Sequence, residues 1–336
     1  MHVLEAGDPG RPCVLLLHGF PELGYSWRKI LPRLADAGYY AVAPDQRGYG
    51  ATTGWTAEDL SSFTFFNLST DVKALLEKIG KQPVHLVGHD FGSPLAGACA
   101  LLHPQLFRSV TFMSAPFGGA QPAVSRAGSD IHADLAALHP PRKHYQWYYS
   151  TPPADRDMRE CKQGLHAFLR AYYHVKSADW KSNRPLPLRA WTAEELAKLP
   201  RYYVMDLDQN MAETVEPHLP SGEPAWLTKE ELKVYEEAFE RTTFQGGLNW
   251  YRCATGGQSL ASMQSALGKK ISIPACFIAG AADWGIHQKP GEMERMEREA
   301  CTDWRGTHLV DGAGHWVQQE QPGRVAELLL EFLKKV

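Results

Sequence analysis

Short apolar runs alternate with amphipathic stretches over the first third of the chain. Residues 14–17 and 39–43 are continuous apolar runs, typical of strands that are buried on both faces of a parallel sheet. Residues 68–79 have helical spacing, and 84–87 and 109–113 predict two more strands. This alternation of strand and helix predicts a parallel, doubly wound α/β sheet.

The alternation stops after Phe117. Residues 118–267 are rich in Pro, His and aromatic side chains and show no convincing strand pattern. Helical spacing is easy to find there, as in the set Leu165, Phe168, Leu169 and Tyr172. Residues 192–195 and 228–231 have the T-x-x-E pattern of a helix capping box, while 176–191 and 212–226 are predicted to be long loops.

Strand signals return near the C-terminus, at 271–279 and at 308–310, and a helix is predicted at 324–335. The simplest arrangement is an α/β core made of residues 1–117 and 268–336. A helical cap formed by residues 118–267 interrupts this core.

Composition narrows the class of protein. The 336 residues are 44% hydrophobic and 22% charged, with a net charge of −3, which gives no sign of a nucleic acid or an anionic membrane as partner. Cys13, Cys99 and Cys276 lie in apolar runs and are expected to be reduced core residues. Neither a signal peptide nor a membrane span is recognisable, so we expect a cytoplasmic monomer or homodimer.

An aspartate occupies the position of a nucleophile. Residues 84–92 read V-H-L-V-G-H-D-F-G, which is a strand followed by a sharp glycine-flanked turn around Asp90. A carboxylate is ionised near neutral pH and can attack an alkyl carbon that bears a strained leaving group, giving an ester that water must cleave. The alternative is that Asp90 only caps the next helix, but capping does not explain both glycines.

Two further residues complete a catalytic triad. Asp283 and His315 each follow a predicted strand, in A-A-D-W and G-A-G-H-W, and the order nucleophile, acid, histidine is that of the α/β-hydrolase triad. Asp283 would orient His315, which would take a proton from water. His315 could instead be a packed loop histidine, one of 14 in the chain, and only position supports Asp283.

The segment H-G-F-P at 18–21 predicts an oxyanion site. The backbone N–H groups of Phe20 and Phe91 could converge on the Asp90 carboxyl. His18 is expected to be structural, and Asp45 and Arg47 are expected to pair with each other in a structural loop. Since no dinucleotide fingerprint, phosphate loop or H-E-x-x-H motif is present, we expect neither a cofactor nor a metal.

These motifs carry a resemblance to a known family. The sequence resembles the epoxide hydrolase family of the α/β-hydrolase fold in H-G-F-P-E at 18–22, G-H-D-F-G at 88–92, Tyr145-Gln146, N-W-Y-R at 249–252, Ala282-Asp283 and G-H-W at 314–316. The resemblance implies that two cap tyrosines, Tyr251 and Tyr145, donate hydrogen bonds to the epoxide oxygen. Tyr148 and Tyr149 are rivals for the second role, and all four could be packing residues.

The residues and the resemblance together predict an epoxide hydrolase that forms a vicinal diol without a cofactor. Trp147, Tyr148 and Trp316 are expected in the substrate pocket, and cap aromatics such as Trp180 and Trp226 hint at an apolar or aryl substrate. One alternative is a haloalkane dehalogenase, although a halide-binding Trp is missing beside Asp90. Another is a non-hydrolytic receptor or biosynthetic cyclase of the same fold.

Overall fold

The computed structural model describes residues 1–121 and 130–336. Its strands are β1 (Val3–Ala6), β2 (Cys13–Leu17), β3 (Tyr40–Pro44), β4 (Val84–His89), β5 (Phe107–Met113), β6 (Arg142–His144), β7 (Val204–Asp206), β8 (Ala275–Gly280) and β9 (Trp304–Val310). Seven of them form one sheet in the order β1-β3-β2-β4-β5-β8-β9. Within it β1 is antiparallel to β3, and all other neighbours are parallel.

The sheet is covered on both faces. Along β2, Leu15 and Leu17 belong to one hydrophobic cluster and Val14 and Leu16 to a second cluster on the opposite face. Every residue of β2, β3 and β4 is buried. This two-sided burial explains why these strands are continuous apolar runs in the sequence.

Helices make up the rest of the regular structure. They are α1 (Leu31–Asp36), α2 (Phe65–Ile79), α3 (Gly92–Leu102), α4 (Ile131–Ala136), α5 (Tyr145–Tyr149), α6 (Ala154–Arg159), α7 (Leu165–Lys176), α8 (Ala193–Leu196), α9 (Met211–Val215), α10 (Lys229–Thr242), α11 (Gln245–Thr255), α12 (Gln258–Ser262), α13 (Glu292–Arg295), α14 (Val317–Glu320) and α15 (Pro322–Leu333). In the described part of the chain, no helix is both long and apolar enough to cross a membrane.

The predicted α/β class is confirmed, but two predictions about residues 118–267 are wrong. β6 and β7 form a two-stranded antiparallel ribbon there, and its three-residue strands are too short to produce a recognisable alternation. The predicted loop at 212–226 begins with most of α9 and a 3₁₀ turn, Glu216–His218. The capping box at 228–231 forms in full. At 192–195 half of the box forms: the Thr192 hydroxyl accepts from the N–H of Glu195, but the Glu195 carboxylate accepts from the N–H of Arg189.

The expected pair of Asp45 and Arg47 does not form. Asp45 accepts a hydrogen bond from the backbone N–H of Gly24 and lies 2.8 Å from the Nδ1 atom of His2. Arg47 makes a two-pronged ion pair with Asp71 on α2, with N–O distances of 2.7 and 2.6 Å. Both residues therefore join separate segments, a role that local sequence could not reveal.

Candidate active site

Three chemically active side chains meet at the carboxyl edge of the sheet. Asp90 directly follows β4, Asp283 follows β8 and His315 follows β9. Because these strands lie close together and run in parallel, the residues after them project into the same region, where open α/β sheets bind ligands.

The turn that carries Asp90 is strained. Asp90 has a φ of 51°, a left-handed conformation that a residue with a side chain adopts at a cost. A Cβ on Gly88 would collide with the carbonyl oxygen of Gly92, and one on Gly92 would collide with that of Leu17. The flanking glycines thus allow the backbone to turn tightly enough to present the Asp90 carboxylate.

His315 bridges two carboxylates. Its Nε2 atom lies 3.1 Å from Oδ2 of Asp90, and its Nδ1 atom lies 3.1 and 3.2 Å from the two carboxylate oxygens of Asp283. The backbone N–H of Phe20 donates to Oδ1 of Asp90 at 2.9 Å. Of the described residues, Phe20 alone supplies such a backbone donor, and Phe91 makes no hydrogen bond to this carboxyl.

Charge and burial act in opposite directions on these groups. Burial raises the pKa of Asp90. The hydrogen bond and charge of His315 and the charge of Lys176 lower it by more, so the net pKa is below its usual value and the carboxyl stays ionised. Burial and Lys176 lower the pKa of His315, whereas Asp283 and Asp90 raise it by more, and the net pKa is above its usual value. A protonated ring could donate to both carboxylates in this resting arrangement.

Two tyrosine side chains of the helical segment face the same space as Asp90. Tyr145 begins α5 and Tyr251 lies on α11, and their ring centroids are 5.9 Å apart. The Tyr145 hydroxyl donates to Oε1 of Gln288 at 2.8 Å. Burial, together with the negative charge of Asp90, holds the pKa of both phenols well above 10, so both are neutral hydrogen-bond donors.

The rival tyrosines point their hydroxyls elsewhere. The Tyr148 hydroxyl donates to Oδ2 of Asp157 at 3.0 Å, and the Tyr149 hydroxyl donates to the Tyr172 hydroxyl at 3.2 Å. Neither Tyr148 nor Tyr149 lines the cavity above Asp90, whereas Tyr145 does.

A cavity of about 450 Å³ lies above Asp90. Aromatic and aliphatic side chains form most of its wall, including Phe65, Phe91, Phe117, Trp147, Trp191 and Met263. Polar side chains on its wall include Asp90, Tyr145, Tyr251, Gln146 and Gln288, together with Thr255, Ser259, Lys289 and Glu292. In the described residues, no group of three or more His, Cys, Asp or Glu side chains could hold a metal ion.

Two residues expected in the pocket lie outside this cavity. Tyr148 lines a separate groove, and Trp316 is fully buried, with its indole N–H donating to the carbonyl oxygen of Tyr173. Trp180 and Trp226 do not line the cavity either, so of these aromatics only Trp147 does. Sequence alone could not separate them, because an aromatic residue type does not show which surface its side chain faces.

Comparison with known proteins identifies the family. The α/β hydrolase fold family matches residues 12–322. Epoxide hydrolase A of Mycobacterium tuberculosis (strain H37Rv) is 35% identical over 345 residues, covering 99% of this chain and 94% of the relative. This chain belongs to the epoxide hydrolase family. An epoxide hydrolase of Caballeronia sordidicola is 30% identical, covering 100% of this chain and 91% of the relative. The crystal structure of epoxide hydrolase A from Mycobacterium thermoresistibile superposes with a TM-score of 0.78 at 32% identity, covering 99% and 94% of the two chains.

The structure adds an acid–histidine pair to the site of this epoxide hydrolase. Glu22 is fully buried, and its Oε2 atom lies 2.6 Å from Nδ1 of His89. The other ring nitrogen of His89 lies 2.7 Å from the carbonyl oxygen of His315. Gln318 and Gln319 donate to Oε1 of Glu22. Glu22 lies in the H-G-F-P-E motif and His89 in the G-H-D-F-G motif, but no function was predicted for either residue from the sequence alone. Their position in these motifs is the signal that could have identified them.

Proposed function

We propose that this epoxide hydrolase converts an epoxide to a vicinal diol through a covalent ester on Asp90. The observation that carries the proposal is that a buried, ionised Asp90 and two neutral phenols, Tyr145 and Tyr251, line one largely apolar cavity. A carboxylate below and hydrogen-bond donors above suit a substrate with an electrophilic carbon next to an ether oxygen. The substrate is a small-molecule epoxide with an apolar or aryl group.

The first step is alkylation. One carboxylate oxygen of Asp90 attacks an epoxide carbon, a new C–O bond forms, and the strained C–O bond of the ring breaks. Tyr145 and Tyr251 donate hydrogen bonds to the ring oxygen, and one of them gives its proton to the developing alkoxide. A phenol suits this task because it is neutral at physiological pH and is a much stronger acid than an aliphatic alcohol.

The second step is hydrolysis of the ester. His315 takes a proton from water through Nε2, and the hydroxide attacks the carbonyl carbon of Asp90. Asp283 stabilises the imidazolium. The backbone N–H of Phe20 stabilises the oxyanion of the tetrahedral intermediate. The intermediate collapses by cleavage of the bond between the ester carbon of Asp90 and the diol oxygen. The departing oxygen takes the proton of the newly formed carboxylic acid, and the proton held by His315 returns to the tyrosinate, which restores the Asp90 carboxylate and the phenol.

The same proposal covers the organisation of the chain. Residues 1–117 and 268–336 form the hydrolase core, because all seven strands of the main sheet lie in them. Residues 118–267 form the cap and supply both tyrosines. We further propose that the protein is cytoplasmic, which is supported by six free cysteines, a pattern typical of a reducing compartment. We also propose that it is a monomer or homodimer.

A single turnover in heavy-oxygen water tests the covalent step. With enzyme in excess over substrate, the first diol should lack the label, because its new oxygen comes from Asp90, and the label should appear in the Asp90 carboxyl. Full labelling of the first diol would show direct attack by water and exclude the ester.

A substrate panel tests the reaction class. Aryl and alkyl epoxides are compared with haloalkanes, and diol and released halide are both measured. Diol from epoxides supports the proposal. Halide without diol would make the protein a dehalogenase, and turnover of neither would favour a non-hydrolytic role.

A further inference from the structure

A lysine side chain is enclosed behind the candidate triad. Lys176 is the last residue of α7 and is only 3% exposed. Its Nζ atom lies 5.2, 5.0 and 5.5 Å from the ring centroids of Tyr172, Tyr203 and Trp316. Its hydrogen-bond partner is the Tyr172 hydroxyl, at 3.4 Å. In the part of the chain that the structure describes, Lys176 forms no ion pair.

The position of Lys176 is tied to His315. The backbone N–H of His315 donates to the carbonyl oxygen of Lys176 at 2.8 Å, and Trp316, the next residue, forms one wall around the ammonium group. This hydrogen bond fixes the position of Lys176 relative to His315, although 139 positions separate them in the sequence, from 176 to 315. The positive charge of Lys176 interacts electrostatically with His315 and Asp90 and lowers the pKa of both side chains.

An unpaired ammonium in such a place needs an explanation. Taking a charge out of water without a direct ion pair is costly, and contacts with three aromatic rings offset only part of that cost. A methionine side chain would fill the same space between the rings without the cost of burying a charge. The positive charge, rather than the volume of the side chain, is therefore the feature with a function.

We propose that Lys176 is a positioning residue whose charge keeps His315 neutral in the alkyl-enzyme, so that His315 can accept a proton from the hydrolytic water. This inference rests on the proposed function, because it concerns the second step of the proposed reaction. Lys176 itself touches neither substrate nor water in this role.

The charges around His315 change during the reaction. Before attack, the carboxylates of Asp90 and Asp283 both favour the imidazolium. After attack Asp90 is a neutral ester, and Asp283 alone opposes burial and Lys176. Other ionisable groups near His315 include the Glu22–His89 pair and Glu320. The carboxyl oxygens of Glu320 accept from the backbone N–H groups on either side of His315, and burial raises its pKa to about 8. Loss of Lys176 would raise the pKa of His315 and leave it protonated to a higher pH.

Lys176→Met tests the proposal in single-turnover experiments that follow the ester on Asp90 by mass. Ester decay should need a higher pH than in the wild type, so that decay at about pH 6 slows on the order of tenfold while decay at about pH 9 changes less than about twofold. Ester formation should keep its pH profile, because Asp90 remains ionised throughout. A purely structural role would slow both steps equally at every pH, and that result would overturn the proposal.

Two variants serve as controls. Lys176→Arg keeps the charge and should restore the wild-type profile of ester decay. Lys143→Met removes a cap lysine that also lies over an aromatic ring, 5.2 Å from the centroid of Tyr148 but away from the triad, and it should leave the profile unchanged. A shift with Lys143→Met as large as that with Lys176→Met would contradict the proposal.

A substrate-free measurement separates this inference from the proposed mechanism. The titration of the His315 ring, followed by nuclear magnetic resonance of labelled histidine, should move to higher pH in Lys176→Met or, if that variant does not fold, in Lys176→Gln. An unmoved titration would overturn the role of Lys176 alone. Absence of any ester in the wild type would instead overturn the covalent mechanism.

Discussion

Gly246, on α11, packs directly on Gly48, in the loop after β3. A Cβ on Gly246 would collide with the carbonyl oxygen of Gly48, so the two backbones touch. Nearby, the indole N–H of Trp250 donates to the carbonyl oxygen of Arg47 at 3.0 Å. These contacts hold α11 against the loop after β3. Because Gly246 has no side chain, the two backbones can approach closely, and this contact helps to position Tyr251 on α11.

Gly246→Ala is therefore expected to destabilise the protein. Alanine normally favours a helix over glycine by about 1 kcal/mol, but here the added methyl group needs space that the backbone of Gly48 occupies. Overpacking of this kind costs about 1–3 kcal/mol, which should appear as a lower midpoint of thermal unfolding. Ester formation should also slow, because Tyr251 lies on the displaced helix.

Gly323→Ala is the matched control. Gly323 lies in the first turn of α15, where an added Cβ meets nothing within 4 Å. This variant should be as stable as the wild type or more stable by up to about 1 kcal/mol. If both alanine variants had the same unfolding midpoint, the close contact at Gly246 would not limit stability.

Removal of the general base should trap the ester. His315→Gln should still alkylate, since attack by Asp90 does not require the ring, and the peptide that holds Asp90 should gain the mass of the substrate. Asp283→Asn should slow turnover less completely, because it changes the tautomer of His315 without removing the ring. Peptide mass spectrometry after incubation with an epoxide checks both. An unmodified and fully active His315 variant would contradict the assignment.

A strand could be predicted from the sequence where it is buried along its whole length, and only in part or not at all where it lies at an edge of the sheet. β2 and β4 are buried along their whole length, and their apolar runs are visible without any other information. β9 alternates between half-buried and exposed residues because it is an edge strand, and the sequence shows only its last three positions. β1, the other edge, is short and half-exposed and gives no apolar run.

Residues of the candidate site could be predicted from the sequence where few other structural roles explain a residue of that type at that position. An aspartate between two glycines after a strand is unusual, and the positions of Asp283 and His315 follow from the same pattern. Lys176 was not readable, because a lysine at the end of a helix usually extends into water. It lies four residues after Tyr172, on the buried face of α7, and only the packing of Trp316 against that face shows that its charge is enclosed.

Stability at acid pH should depend on His144. Burial, with the charges of His132 and Lys289, lowers the pKa of His144 from 6.5 to about 3. Between these values the unfolded chain binds a proton that the folded protein does not, so the free energy of unfolding falls as pH falls, by about 1.4 kcal/mol per pH unit at most. His144→Phe should reduce this slope in urea unfolding measured between about pH 6 and 4.

The exposed His139 provides the comparison for this measurement. His139→Phe removes a histidine that the fold does not bury, so the slope should stay at its wild-type value. A constant offset in stability from the lost hydrogen bond between the Gln146 N–H and His144 does not affect the test, because only the pH dependence is compared. Equal slopes in all three proteins would show that His144 is not buried in its neutral form.

Tyr145 and Tyr251 give the most specific prediction, because their proposed role distinguishes opening of an epoxide from displacement of a halide. Tyr251→Phe and Tyr145→Phe each remove one donor to the developing alkoxide and should slow ester formation by about 10²–10³-fold, with the double variant nearly inactive. Ester hydrolysis should be almost unchanged, since the alkoxide is protonated by then. Rapid quenching with mass detection of the ester measures the two steps separately.

Tyr148→Phe and Tyr149→Phe are the matched controls for the phenol chemistry. They remove the same hydroxyl group from the same helix, but those hydroxyls contact Asp157 and Tyr172 instead of the cavity. Both variants should form the ester at nearly the wild-type rate. Normal ester formation by Tyr145→Phe together with a loss in one of these controls would move the second donor to that neighbour. If none of the four substitutions slowed ring opening, phenol donors would have no part in the reaction, and the epoxide would have to be activated by another group in the cavity.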